Sequence, residues 1–320
     1  MFTNSKYVYE IYKEKSFSKA ARNLYISQPA LSATIKRIET GIGSPIFDRS
    51  TNPIRLTDCG QKYIEAVKQI MDLQDDFTNY LNDLQQLKTG RVSIGGSSLF
   101  TSCVLPSIIA EFTKRYPAIE INVVEANTPT LEQQLMSGSL DLMIDNYAFD
   151  ESVHTGHLFR KEYLLLAVPA QLPVNRELAA YSIAPADIRS GAFLRDDFAE
   201  APLDAFNKQP FILLKAGNDT RDRALHLFQK HGITPKIVLS LDQQMTAYNV
   251  TCSGMGISLV SDTLVMNSID NPNVVFYKLN TQDSCRSLCF FRKSGKYVTR
   301  AMEEFLRIAT ELSGQPPYHK

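Results

Sequence analysis

The chain of 320 residues carries no net charge: 34 lysines and arginines stand against 34 aspartates and glutamates. Taken over the whole chain, that absence weighs against a nucleic-acid partner, because such proteins commonly show a basic surplus. Long apolar runs are missing as well. The longest, such as 163–170, fall far short of the roughly 20 residues a membrane-spanning helix needs. The opening Met-Phe-Thr-Asn-Ser-Lys places a charge before any apolar stretch, so no secretory leader is expected. Glycine and proline, 15 of each, are scattered, and 44% of the residues are hydrophobic. That composition excludes collagen-like, low-complexity and largely disordered chains. Cysteine is scarce: five, at 59, 103, 252, 285 and 289, an odd and scattered set that suits a reducing compartment. Together these absences describe a soluble cytoplasmic protein, away from membranes, with enough chain for more than one core.

Catalytic signatures are missing too. No Gly-x-Ser-x-Gly, P-loop or dinucleotide fingerprint occurs. His154 and His157 have no neighbouring Cys, Asp or Glu set to complete a metal site and read as exposed loop histidines. Cys285 and Cys289 lie around the start of an expected strand and read as buried free thiols. No catalytic residue, metal or cofactor is assigned.

The zero charge is a sum of unlike parts. Residues 1–60 hold nine basic and five acidic side chains, a surplus of +4, whereas 61–90 and the remaining 230 residues each stand at −2. Two such heads in a dimer would present about +8, enough to engage a phosphate backbone. The basic part also carries a pattern of three helices, over about 5–15, 18–25 and 27–40. Val8, Ile11 and Tyr12 share one face of the first. In the second, Ser18 is the expected N-cap and Ala20-Ala21 permits close helix contact. Ser27 caps the third, where Pro29 is tolerated because the first turn has no intrahelical N–H partners. Leu31, Ile35 and Ile38 form its buried stripe, and Gln28, Ser32, Lys36 and Arg37 its outer face.

A short helix, a tight turn and a capped helix with a polar outer face make a helix-turn-helix. Gln28 can pair with adenine, Ala30 can meet a thymine methyl, Ser32 can bond a base edge or phosphate, and Lys36 can hold a phosphate. Ser18, Lys19, Ser27, Pro29 and Arg37 complete the expected DNA-facing set. Residues 45–56 then read as two short strands around a turn-rich tip, a wing that brings Arg49 and Arg55 to the backbone or minor groove. Internal pairing of these arginines with Asp48, Glu39 or Asp58 is the alternative.

The run Ser16-Phe-Ser-Lys-Ala-Ala-Arg-Asn-Leu-Tyr-Ile-Ser-Gln-Pro-Ala-Leu-Ser32, with Ile35-Lys-Arg-Ile-Glu39, Pro45-Ile-Phe-Asp-Arg49 and Leu56-Thr-Asp-Cys-Gly60, resembles the LysR-type transcriptional regulators. The likeness extends more loosely over nearly the whole chain. Ala33 stands where many members have arginine, which bears on operator preference, and Gly41-Ile42-Gly43 replaces the usual Glu-Leu-Gly.

Thr57 can cap a long helix over about 58–88, roughly 45 Å at 1.5 Å per residue. Its heptad positions are Tyr63, Ala66, Ile70, Leu73, Phe77, Tyr80, Leu84 and Leu87, all apolar or aromatic, with Asp72, Asp75, Asp76 and Asp83 off the seam. That is a coiled-coil pattern, and it makes Tyr63, Ile70, Leu73, Phe77 and Leu84 the expected dimerisation residues. Packing on the helix's own domain is the alternative. The resemblance likewise implies a pairing linker helix, in homodimers or homotetramers, and contact with RNA polymerase in an activator. Two recognition helices in one particle imply a partly palindromic operator.

From 90 onward the texture alternates. Strand 91–95, helix 103–116, strand 120–125, helix 130–137 and strand 141–145 make a βαβαβ pattern with a largely parallel sheet. Strands at 164–168, 211–214, 237–239, 257–260, 274–278 and 287–291 and helices at 221–231, 242–253 and 296–312 follow. The fold class is α/β: a winged helix-turn-helix at 1–58, a linker helix at 59–89, and an effector-binding domain at 90–320. The resemblance implies that this last domain is two-lobed and periplasmic-binding-protein-like. Lobe I is expected at about 90–145 and 267–320, and lobe II at about 146–266.

Ligands of open α/β sheets sit beyond the carboxyl ends of strands. That places Gly95-Gly-Ser-Ser-Leu-Phe-Thr-Ser102 first, where glycines admit close approach, hydroxyls donate, and a helix start favours an anion. Ser97, Ser98, Thr101 and Ser102 there, with Thr128, Asn146 and Asn218 after later strands, are the expected effector contacts. The resemblance places Ser98 and Thr128 where effector contacts are common. A small carboxylate-bearing metabolite is the expected ligand. The expected function is a ligand-responsive regulator binding double-stranded operator DNA. The alternatives are a solute-binding protein or small-molecule enzyme with an accessory head, and an architectural DNA-binding protein.

Overall fold

A computed structural model describes residues 2–51, 53–84 and 90–313, and the side chains of all of these except 72, 75, 76 and 78–84. The chain divides into two compact units, Met1–Asn79 and Tyr80–Lys320.

The first unit contains helices α1 (Ser5–Glu14), α2 (Phe17–Asn23) and α3 (Gln28–Ile42), strands β1 (Phe47–Asp48) and β2 (Arg55–Leu56), and most of α4 (Asp58–Leu84). Val8 and Ile11 of α1, Ala20 and Ala21 of α2, and Leu31 and Ile35 of α3 share one buried cluster. The two alanines matter because only a methyl group separates α2 from its neighbours there. The cap of α2 is Ser16, whose hydroxyl accepts the Lys19 N–H at 3.4 Å. Ser18 therefore lies inside the first turn and is not the cap. Ser27 does cap α3, accepting from the Ala30 N–H at 3.3 Å. Strands β1 and β2 pair antiparallel, Phe47 opposite Leu56, and form the wing.

The joint between wing and long helix has a steric cause. Thr57 accepts the Gly60 N–H at 2.9 Å, as a capping hydroxyl should. A Cβ on Gly60 would stand 2.0 Å from the Ile46 carbonyl oxygen, so only glycine lets α4 lie this close to the start of the wing.

The apolar stripe of α4 divides between two surroundings. Tyr63, Ile64 and Val67 are buried in the head's own core, with Tyr63 stacked on Phe2 at 5.1 Å. Tyr63 is thus a core residue of the head and not part of a dimer seam. Ile70 is half-buried, whereas Leu73 is 74% and Phe77 62% exposed. The expected seam residues Tyr80, Leu84 and Leu87 fall outside the described side chains.

In the second unit β3 (Gly90–Gly96), α5 (Ser98–Cys103), α6 (Leu105–Arg115), β4 (Ile119–Glu125), α7 (Thr128–Met136) and β5 (Leu142–Asp145) realise the βαβαβ pattern. β3 pairs parallel with both β4 and β5. Then come β6 (His154–Pro169), α8 (Val174–Glu177), β7 (Ser182–Ile183), α9 (Pro185–Ser190), β8 (Pro210–Leu214), α10 (Asp219–Lys230) and β9 (Lys236–Leu241). Last are α11 (Gln244–Cys252), β10 (Ile257–Ser261), α12 (Asp262–Asn267), β11 (Val274–Lys278), α13 (Thr281–Ser284), β12 (Cys285–Lys293) and α14 (Arg300–Ser313).

One strand serves both lobes. The first half of β6 pairs antiparallel with β12 and closes the lobe I sheet, β4-β3-β5-β12-β6. From Leu164 its partners become β10 and β11, in a second sheet that also holds β8, β9 and β7. The chain crosses into lobe II inside β6 and returns through α13. β11 therefore belongs to lobe II, and both crossings fall later than the expected boundaries at 145/146 and 266/267. No turn residue marks the first crossing, because a continuous strand only exchanges hydrogen-bond partners there. His154 and His157 lie on this strand rather than in a loop. His154 is buried against Phe149, and His157 meets the Thr310 hydroxyl at 2.8 Å. Cys285 and Cys289 are free and half-buried. Four residues apart on one strand, they are roughly 13 Å apart along its axis, too far for a disulfide.

Candidate nucleic-acid interface and effector cleft

On α3 the buried side is Leu31, Thr34 and Ile35. Ser27, Gln28, Pro29 and Ala30 at its start, and Lys36 and Arg37 further along, are exposed; Ser32 is half-buried. Ser18 and Lys19 are exposed in the first turn of α2, and Arg55 is exposed on the wing. The Arg37 guanidinium donates to the Thr34 hydroxyl at 3.2 Å. Arg49 is engaged within the chain: its Nη2 donates to Glu39 at 2.8 Å, and its guanidinium lies 5.1 Å from the Phe17 ring centroid. Of the two wing arginines, Arg49 therefore takes the internal alternative, with Glu39. The other Glu39 oxygen accepts the N–H groups of Ile46 and Phe47 at 2.9 and 3.2 Å. One carboxylate thus fixes the entry of the wing relative to the recognition helix.

In the second unit, residues just past the carboxyl ends of β3, β5 and β8 converge on a cavity of about 30 Å³. Four of the expected effector contacts line it: Ser97, Thr128, Asn146 and Asn218. Ser98 stands beside it, and both its N–H and its hydroxyl donate to the Gln243 side-chain oxygen, at 3.3 and 3.0 Å. That contact bridges α5 of lobe I to the start of α11 in lobe II. Thr101 bonds the Ser97 and Ser98 carbonyls and Glu125, and Ser102 is exposed; neither lines the cavity. A helix rotates about 100° per residue, so only the first hydroxyls of this run face the cleft.

Five further polar residues outside the expected set also line it: Asp145, Thr220, Gln243, Gln244 and Arg286. The Arg286 side chain is 1% exposed. Its Nε and Nη2 donate to Glu162 at 2.7 and 2.6 Å, and its Nη1 to Asp219 at 2.9 Å and the Thr220 hydroxyl at 2.8 Å. Glu162 also accepts from the Asn146 amide at 3.0 Å and from the Thr263 hydroxyl. Burial pushes the Glu162 carboxyl up, but Arg286 beside it brings the net shift below the ordinary glutamate value. Asp145 is raised by burial, against the Thr128 hydroxyl and the Tyr147 and Asn146 N–H groups that bond its charged form. A sequence signal for Arg286 existed. Strand alternation puts it on the same face as buried Leu288 and Phe290, and a cation there demands a buried anion.

Residues 85–313 match the family described as LysR substrate binding domain, and residues 2–61 the bacterial regulatory helix-turn-helix protein, lysR family. Over 308 residues the chain is 27% identical to the uncharacterized HTH-type transcriptional regulator YcgK of Bacillus subtilis (strain 168), covering 96% of this chain and 93% of that one. Full-length CbnR, solved in complex with its target DNA, has a TM-score of 0.66 at 18% identity, over 98% of this chain and 100% of that one. The regulatory domain of Synechocystis PCC6803 CcmR, solved in complex with 2-PG, has a TM-score of 0.59 at 18% identity, over 72% of this chain and 100% of that one. At these identities the two structures establish a common fold. Among the described residues no helix is long and apolar enough to cross a membrane.

The cleft network has a measurable pH signature. Asp262 is 3% exposed and accepts the N–H groups of Tyr163 and Thr263 at 3.2 and 2.8 Å. Burial, and then the charge of Glu162, push its carboxyl up to about 6. The folded state therefore holds this proton more tightly than the unfolded state. The resulting stability is fully present below about pH 4 and is lost as the pH rises through about 6. Between pH 5 and 7 that loss is about 1 kcal/mol. Urea unfolding at the two pH values should show Asp262→Asn losing less stability than the wild type by that amount. Equal losses would refute the assignment.

Proposed function

Because the chain belongs to the LysR family of DNA-binding transcriptional regulators, we propose that the start of α3 reads operator bases and that the cavity between the lobes receives the effector. The family consists of regulators and not enzymes. The observation carrying the first half is the exposure of Gln28, Pro29 and Ala30 at a capped helix start, opposite the buried Leu31 and Ile35. Gln28 and Ala30 supply base contacts, and Ser18, Lys19, Ser32, Lys36, Arg37 and Arg55 supply phosphate or base-edge contacts. Arg49 supports the wing through Glu39. That CbnR was solved with its target DNA supports this reading.

The exposed Leu73 and Phe77 on α4 pair with the same helix of a second copy, with half-buried Ile70 next on the stripe. The homodimer, or a homotetramer built from it, then binds a partly palindromic operator in the cytoplasm and meets RNA polymerase where it activates.

The effector is a small carboxylate-bearing metabolite held by Ser97, Thr128, Asn146 and Asn218. Its carboxylate takes the place of Asp219 on Arg286. A cavity of about 30 Å³ holds roughly one water. Binding therefore requires the lobes to part and the Ser98–Gln243 bridge to open. Ligand occupancy is thereby linked to lobe separation, and through paired α4 helices to the spacing of the DNA heads. The CcmR regulatory domain with 2-PG supports a small-molecule role for this domain.

Three measurements test these assignments. On a genomic fragment footprinted by the wild type, Gln28→Ala should lose about tenfold in affinity there and much less on random duplex. Equal losses on both would count against base reading. Sedimentation of the Leu73→Glu, Phe77→Glu double variant should show monomers with operator binding lost together; a tightly binding monomer refutes the seam. Ser97→Ala with Thr128→Ala, which leaves the Ser98–Gln243 bridge in place, should leave operator affinity within about twofold but abolish the transcriptional response to metabolite supply. A normal response would move the effector elsewhere.

A further inference from the structure

Helix α2 ends in a way that its sequence makes costly. Leu24 is the cap, the Tyr25 N–H bonds the Arg22 carbonyl at 3.1 Å, and the Ile26 N–H reaches back to the Ala21 carbonyl at 3.1 Å. This pair of bonds is the Schellman termination, whose following residue adopts the left-handed conformation and is usually glycine or asparagine. Here that residue is Tyr25, at φ +54°. A bulky side chain in this region is strained. Packing within the chain offers no compensation, because Tyr25 is 97% exposed, the most exposed large hydrophobic residue among those described.

The position is informative. Tyr25 lies two residues before the Ser27 cap of α3, and the neighbouring Lys19 and Arg22 of α2 are exposed and basic. In a helix-turn-helix, the start of the second helix meets base edges while the first helix crosses the backbone. The turn between them falls at the lip of the groove, where the phosphates run. A tyrosine hydroxyl is a good donor to phosphate oxygens.

We propose that Tyr25 is a DNA-contacting residue whose phenolic hydroxyl donates to a backbone phosphate at the edge of the groove entered by α3. The chain retains the strained tyrosine because its contact is made to DNA rather than to the protein. This inference rests on the proposed reading of DNA by α3.

Two variants of the full chain separate the strain from the contact. Tyr25→Asn relieves the strain and removes the hydroxyl. It should raise the melting temperature of the head by about 2–4 °C and weaken binding about tenfold. Tyr25→Phe keeps the backbone strain and removes only the donor, so it should leave the melting temperature unchanged and weaken binding similarly. Both losses should be equal on the footprinted fragment and on random duplex, as a phosphate contact requires. Wild-type affinity in both variants overturns the proposal, as does a loss confined to the footprinted fragment. A wild type that binds neither duplex overturns the reading of α3 itself, a result distinguishable from a silent Tyr25.

Discussion

The Arg286 guanidinium, shut away from water, is the interaction on which the second unit most depends. It sits on β12, the strand that pairs with the shared strand β6, and it joins Glu162 of β6 to Asp219 and Thr220 at the start of α10. A buried charge of either sign is costly unless matched by a partner and by hydrogen bonds. The two crossing segments are therefore held in register by the need to satisfy one cation. A ligand entering this cleft meets a network whose donors are already used, and it gains most by exchanging its own oxygen for an internal one. Under the proposed effector role, the place where the lobes are tied together is also the place where a metabolite would alter their relation.

The head is organised by a similar economy on a smaller scale. Glu39 accepts two backbone N–H groups at the entry to the wing and holds Arg49 against Phe17. Gly60 lets the long helix start against the Ile46 carbonyl. These contacts set the wing against the recognition helix without using the outward side of α3. Among the described residues that outward side keeps few internal commitments, and the Tyr25 side chain beside it is exposed. The contacts that build the head are thus made largely by residues other than those proposed to meet DNA.

Much of this was legible in the residues. The caps at Ser27 and Thr57, the buried stripe Leu31–Ile35 and the parallel βαβαβ start follow from spacing and local chemistry. The cap of α2 is Ser16 rather than the expected Ser18 because the two are equally suitable hydroxyls, and the choice between them depends on where Phe17 and the alanine pair pack. The heptad pattern assigns Tyr63 to a dimer seam because such a pattern cannot say which body the stripe touches. The histidines at 154 and 157 read as loop residues in the sequence because β6 begins with polar, weakly alternating residues. Its partner β12 lies more than a hundred positions later.

Local periodicity, capping chemistry and a dense motif were enough, from the sequence by itself, to determine most of the longer helices and strands, the helix-turn-helix and the family. Only the tertiary structure decided that one strand serves two sheets, that Thr101 and Ser102 turn away from the cleft, and that Arg286 and Glu162 fall opposite each other on β12 and β6. The physical reason is range. Caps and alternation act over a few residues and leave their mark in the order of the chain. Partner exchange along β6 and the pairing of buried charges depend on which distant segments share a volume, and that is settled only when the cores close.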